Sequence, residues 1–149
     1  MKINTKFHGE KDINEKEIIH FPKGIPAFEE EKRFVILTID EQENLFILQS
    51  IINKGLGFVI ANPFVFFKDY EFELEDYTLS QLELDSEKDV LIFTILTLQQ
   101  SFQESTVNLM APIIINLKNK RAQQVILNLP HYKTKHSIFS QKQSEVIKG

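Results

Sequence analysis

The sequence predicts an all-β fold: an antiparallel, barrel-like domain with one or two short helices. Three observations carry that expectation. The apolar runs are short and each is closed by turn-forming residues. None of them keeps an i, i+3, i+4, i+7 pattern over ten residues. The composition, with 13 Phe, many Ile and Val and no Trp, suits pleated, half-buried surfaces.

Taken in order, residues 18–21 form an apolar run that ends at Pro22, and the loop Pro22-Lys23-Gly24-Ile25-Pro26 follows. Residues 34–39 read as a strand closed by the polar connection 40–44, and residues 45–52 as its partner, ending at Asn53-Lys54-Gly55. Residues 57–61 end at Asn62-Pro63, a turn signal. In residues 70–75, Tyr70, Phe72 and Leu74 alternate with Glu71, Glu73 and Glu75, the pattern of a strand with one wet face. Ser80-Gln81-Leu82-Glu83 has capping-box spacing and predicts a helical turn or two over residues 80–84. Residues 90–98, 106–109, 113–117 and 123–129 read as further strands, the last stopped by Pro130. Phe72, Ile92, Ile95 and Val125 are expected in the core.

The length of 149 residues fits one domain, assigned to residues 1–136, with a polar and loosely held tail over residues 137–149. The polar N-terminus lacks the apolar segment of a signal peptide, and the longest apolar run is half of what a membrane helix requires, so a soluble cytoplasmic protein is expected. Absence of cysteine excludes disulfides, thiolate metal sites and a cysteine nucleophile.

Charge is unevenly placed. The net charge is −4, but residues 69–89 carry nine acidic groups and one basic, whereas residues 116–149 carry seven basic and one acidic. A solvated face and a partner-binding face explain this equally well.

Chemistry finds little purchase. No G-x-S-x-G elbow is present. His131 and His136 are five apart, off the spacing of a helical ligand pair, while His8 and His20 stand alone, so no metal site is expected. Gly55-Leu56-Gly57 precedes a strand rather than a helix and makes no phosphate cradle. Glu71, Glu73 and Glu75 lack the glycine turn of a calcium loop. A small hydrolase with paired carboxylates would need an enclosing cleft that nothing in the sequence indicates. The residues therefore describe a module that acts through its surfaces, without catalytic residues or cofactor.

Several blocks stand in order along the chain: Phe21-Pro22-Lys23-Gly24-Ile25-Pro26-Ala27-Phe28-Glu29 with Phe34, then Leu48-Gln49-Ser50, then Pro63 with Asp69-Tyr70. Residues 106–113 with Asn108, Pro112 and Asn116, then Gln124-Val125 and Tyr132, complete the series. Together these blocks resemble the FliW family of flagellar assembly factors. Ala27 stands where the family usually has a second glycine, and a positive φ there would strain it. Gly24 and Pro26 shape the first loop, with Phe28 as its expected apolar anchor, while Asn108, Pro112 and Asn116 read as fold-maintaining residues of a strand corner and Gln49 and Ser50 are picked out by the family motif alone.

The resemblance implies a protein that binds the translational repressor CsrA and cytoplasmic flagellin, each excluding the other. To this the sequence adds charge: Glu71, Glu73, Glu75 and Asp76 suit a basic partner such as a repressor that holds RNA. The competing reading is a small β-barrel RNA-binding module that uses the basic C-terminal third with Tyr132 and Phe139.

Overall fold

A computed structural model describes residues 1–39 and 42–138. It consists of two antiparallel sheets and two short helices. Strands β1 (Lys2–Thr5) and β2 (Gly9–Asp12) form an N-terminal hairpin on their own. The larger sheet runs through β3 (Ile19–His20), β4 (Arg33–Ile39), β5 (Gln42–Ser50), β6 (Gly57–Ala61), β7 (Val90–Thr97), β8 (Thr106–Val107), β9 (Ile113–Asn116), β10 (Ala122–Gln124) and β11 (His136–Ser137). Its spatial order is β10-β9-β7-β6-β5-β4-β3, with β8 branching from β7 and carrying β11.

The sheet curls but is not a closed barrel. Its two edges meet at one parallel bridge between His20 and Arg121, where His20 N–H donates to Lys120 O at 2.8 Å. The inside of the curl is filled from almost every strand, by Ile19, Phe34, Leu48, Ile60, Phe93 and Ile113. The outer face of β4, β5 and β6 is also covered. There Val35, Leu37, Ile47 and Val59 pack against Ile3 of the hairpin, Phe67, Tyr70, Leu109 and Leu127. Burial on both faces explains why these strands read as unbroken apolar runs rather than alternating ones.

Several sequence expectations need correction. Residues 70–75 belong to no ladder, although their predicted alternation is present: Tyr70 is buried, Phe72 and Leu74 are half-buried, and the three glutamates are exposed. Phe72, Ile92, Ile95 and Val125 are half-buried rather than fully buried; Phe72 and Val125 flank one core cluster from outside the ladders, and Ile95 packs at the margin of the other. Of the expected strand 123–129 only the first two residues join the ladder, though Val125 and Leu127 N–H still donate to Pro112 O and Met110 O at 3.0 and 2.7 Å.

The helix near residue 80 runs earlier than expected. Helix α1 (Pro63–Phe66) starts from Asn62, whose side chain accepts from Phe64 N–H, with Pro63 in the first turn. Helix α2 (Asp76–Leu82) ends where the capping box would have started it. Glu83 there is left-handed at φ 56°, its N–H donates to Ser80 O, and Leu84 N–H donates to Leu79 O at 2.9 Å. These two bonds make a Schellman stop, so the Ser80–Glu83 spacing marks the end of a helix.

The first family-like loop is a type II turn. Phe28 N–H donates to Ile25 O at 2.6 Å, Pro26 sits at the second position, and Ala27 has φ 74° at the third. That position favours glycine, and an L side chain in the left-handed region costs about 1 kcal/mol. The expected strain at Ala27 is therefore present. Gly24 is left-handed as well, at φ 67°, and a Cβ there would collide with the Glu29 backbone carbonyl. Phe28 is not the loop's buried anchor: it is 41% exposed and sits edge-on to Phe58, while Ile25 is 2% exposed.

At the end of the described chain, Ser137 pairs with Thr106 and Ile138 is buried. Phe139 and the rest of the expected tail lie outside the described residues, as do Asp40 and Glu41 of the β4–β5 connection.

Candidate functional site

The motif residues are used within the fold. Gln49 is fully buried; its Oε1 accepts from Lys6 N–H at 2.9 Å and its Nε2 donates to Ser50 O at 3.0 Å and Leu56 O at 3.2 Å. One amide thus ties the N-terminal segment to the β5–β6 turn. Ser50 donates to Glu31 at 2.8 Å and accepts from Asn53 N–H at 3.0 Å. Asn108 accepts from Met110 and Ala111 N–H, both at 3.1 Å, which satisfies the corner before buried Pro112. Asn116, 2% exposed, donates to Leu82 O at 2.8 Å and Glu83 O at 3.2 Å, and accepts from Lys118 N–H at 2.9 Å. It fastens the end of α2 to β9.

The acidic segment is held differently. Tyr70 anchors it, with its hydroxyl donating to Leu109 O at 2.7 Å and its ring edge-on to Tyr132 at 4.8 Å. Burial, with Tyr132 beside it, pushes the Tyr70 phenol far above its ordinary value, so it stays a neutral donor. Tyr132 in turn accepts from Glu71 N–H at 2.9 Å. From there the chain alternates until Asp76 opens α2, where a carboxylate suits the positive end of the helix.

Residues 71–75 form one wall of an open groove of about 880 Å³, and residues 123–129 form the other. Glu71, Glu73 and Glu75 line it beside Phe72, Leu74 and His131, with no lysine or arginine among the lining residues. Asp76 lies just beyond, exposed at the start of α2. The structure thus brings together all four acidic residues singled out in the sequence. Missed at that level were Tyr70 and Tyr132 as the anchors of the segment and residues 125–129 as its facing wall. The sequence signals for them are Tyr70 and Tyr132 within the family-like blocks and the apolar run that Pro130 stops.

Ion pairing divides the acidic stretch. Glu83 meets Arg121 at 3.4 Å and Asp89 meets Lys118 at 3.4 Å, so two basic residues of the C-terminal third answer two acidic ones. Glu71, Glu73, Glu75 and Asp76 make no ion pair among the described residues. The same contacts weaken the RNA-binding reading, since Lys118 and Arg121 are engaged and Tyr132 is half-buried against Tyr70 rather than displayed.

No group of three or more His, Asp or Glu able to hold a metal ion occurs among the described residues. His136 accepts from Lys133 N–H through Nε2 at 2.7 Å and packs against Phe67 and Tyr132. Burial, followed by the nearby Lys133 and His131, lowers its pKa and favours the neutral ring. No helix among the described residues is long and apolar enough to cross a membrane.

Fold and surface together define a small antiparallel β module that displays an open, acidic groove lined largely by residues outside the ladders. The model of the FliW protein family matches residues 2–138, and the chain belongs to that family. A relative from Geobacillus sp. (strain WCH70), described as flagellar assembly factor FliW, is 49% identical over 95% of this chain and 98% of its own. A relative of the same description from Bacillus subtilis (strain 168) is 49% identical over 93% of this chain and 96% of its own. A crystal structure of the flagellar assembly factor FliW superposes with a TM-score of 0.90 at 46% identity, covering 95% of this chain and 99% of that one.

Proposed function

We propose that this protein is a non-enzymatic flagellar assembly factor that works in the cytoplasm by binding two proteins in turn, the translational repressor CsrA and flagellin. Accumulated flagellin occupies it and leaves the repressor free; export of flagellin releases it to bind the repressor, and flagellin translation resumes. Such a switch needs two occupancies that exclude each other. Family membership and the names of the relatives support the flagellar role. The reading includes no cofactor, no small-molecule substrate and no direct contact with nucleic acid.

One observation carries the assignment of a surface. Glu71, Glu73, Glu75 and Asp76 are all exposed, contiguous along the groove and its rim, and without ion-pair partners among the described residues, whereas Glu83 and Asp89 have them. Carboxylates held together and unpaired repel one another, and a basic partner relieves that repulsion. A repressor that holds RNA presents such a surface, and the same carboxylates repel nearby phosphates. These four residues are the proposed CsrA-binding face.

The test is the double substitution Glu71→Lys with Glu73→Lys, with folding checked by thermal unfolding. Loss of repressor binding by at least about tenfold at low salt, with flagellin binding retained, is the expected result for a charge-steered face. Unchanged repressor affinity would remove this face from the proposal. Loss of both partners together would place them on overlapping surfaces.

A further inference from the structure

Residues 125–127 run extended and antiparallel to residues 112–110, residues 71–75 alternate in exposure as an extended segment does, and neither wall is paired across the groove among the described residues. On the wall formed by residues 125–129, Val125 and Leu127 N–H point away from it, to Pro112 O and Met110 O. Extended backbone alternates its polar groups, so those of Ile126 and Asn128 face the groove. On the opposite wall Glu71 N–H reaches Tyr132 at one end of the groove, and the same alternation turns the Glu73 N–H and C=O inward. None of these groove-facing backbone groups of Glu73, Ile126 and Asn128 has a hydrogen-bond partner among the described residues.

We propose that the groove takes up an extended, lysine- or arginine-bearing segment of a partner protein as an added β-strand. The inference rests on the proposed protein-binding role of the acidic face and specifies how that face binds. Groove-facing groups two residues apart recur at about 6.6 Å, the repeat that another strand presents. A helix consumes its own backbone groups internally and could not use them. The seven residues from 123 to 129 span about 23 Å at strand rise, room for a segment of similar length. Glu71, Glu73 and Glu75 supply the charge, with no cation on either wall to answer them. Main-chain bonds give the affinity and the carboxylates select the sequence.

The test uses a blocked octapeptide of alternating lysine and valine, together with two versions N-methylated at alternate residues in either register. N-methylation keeps the charge and removes the strand's donors. The unmethylated peptide is expected to bind more weakly as salt rises, and one methylated register should lose at least about tenfold in affinity. Amide exchange at Glu73, Ile126 and Asn128 should slow on binding, while Leu127, already bonded, should not change. Equal binding of all three peptides would show charge recognition without strand addition and overturn the proposal. Failure of the unmethylated peptide to bind would overturn it too. If the Glu71→Lys and Glu73→Lys substitutions still abolish repressor binding in either case, the acidic face stands and only its strand mode falls.

Discussion

Two acidic stretches a few residues apart have opposite fates in this molecule. The two ends of residues 83–89 are drawn into the fold: Glu83 caps α2 and meets Arg121, while Asp89 meets Lys118 and its carbonyl accepts from Leu117 N–H at 2.7 Å. Asn116 and Asn119 add donors to Leu82 O from beneath. Residues 71–76 receive no cation and join no ladder among the described residues; they are held by Tyr70, Tyr132 and half-buried Phe72. Similar composition therefore produces a fastened corner in one place and an open surface in the other. The difference comes from the β9–β10 turn, which carries Lys118 and Arg121 to the first stretch and nothing basic to the second.

The largest test of that contrast is Asn116→Ala. It removes two donors to the α2 terminus and one acceptor for Lys118, and should destabilise the protein by about 2–3 kcal/mol in urea unfolding. If the loss were no greater than that of an exposed substitution, the fastened corner would not depend on its amide. Next comes Phe72→Ala in the open stretch. A half-buried ring should cost about 2 kcal/mol, below the range for a fully buried one, and a larger loss would mean that this segment is as well packed as the core.

Smaller still is Arg121→Gln, which removes an exposed ion pair and should cost under about 1 kcal/mol, less so in high salt. Glu73→Ala should stay within about 0.5 kcal/mol in the same measurement, since its side chain is exposed and makes no ion pair among the described residues. The subtlest effect is a local one of pH. His136 is kept neutral in the fold with a pKa below its ordinary 6.5, so the unfolded chain binds its proton first as pH falls. Its stabilising contribution is complete above pH about 6.5 and is lost as pH drops through the lowered native value. Because His136 packs on Tyr132, which holds Glu71, exchange protection of the Glu71 amide should weaken on acidification. Protection at Asn116, fastened elsewhere, should change less; equal loss at both would argue against separate anchoring.

Much of this was legible along the chain. The runs of β4, β5, β6 and β7 were readable because each is dense in β-formers and closed by turn residues. The hairpin of β1 and β2 was not, since Lys2–Thr5 and Gly9–Asp12 contain a single apolar residue, Ile3, which is buried within a cluster drawn from distant parts of the chain. Ser80 and Glu83 misled because an S-x-x-E spacing at a helix start and a Schellman stop at its end look alike in one dimension. The four carboxylates of the candidate face were found from charge alone, whereas Ile126 and Asn128 were not, because their free backbone groups follow from what lies across the groove.

By itself the sequence determined the local terms: which runs pair as strands, where turns fall, the alternation of residues 70–75 and the strain at Ala27, all set by side-chain shape and backbone sterics within a few residues. Only the tertiary structure decided which charges are neutralised and which polar edges stay open. Those depend on the placement of Lys118, Arg121, Asn116 and Tyr132, tens of residues away from the groups they meet. Electrostatic and hydrogen-bond energies act over distances in space, and the curl of the sheet sets those distances.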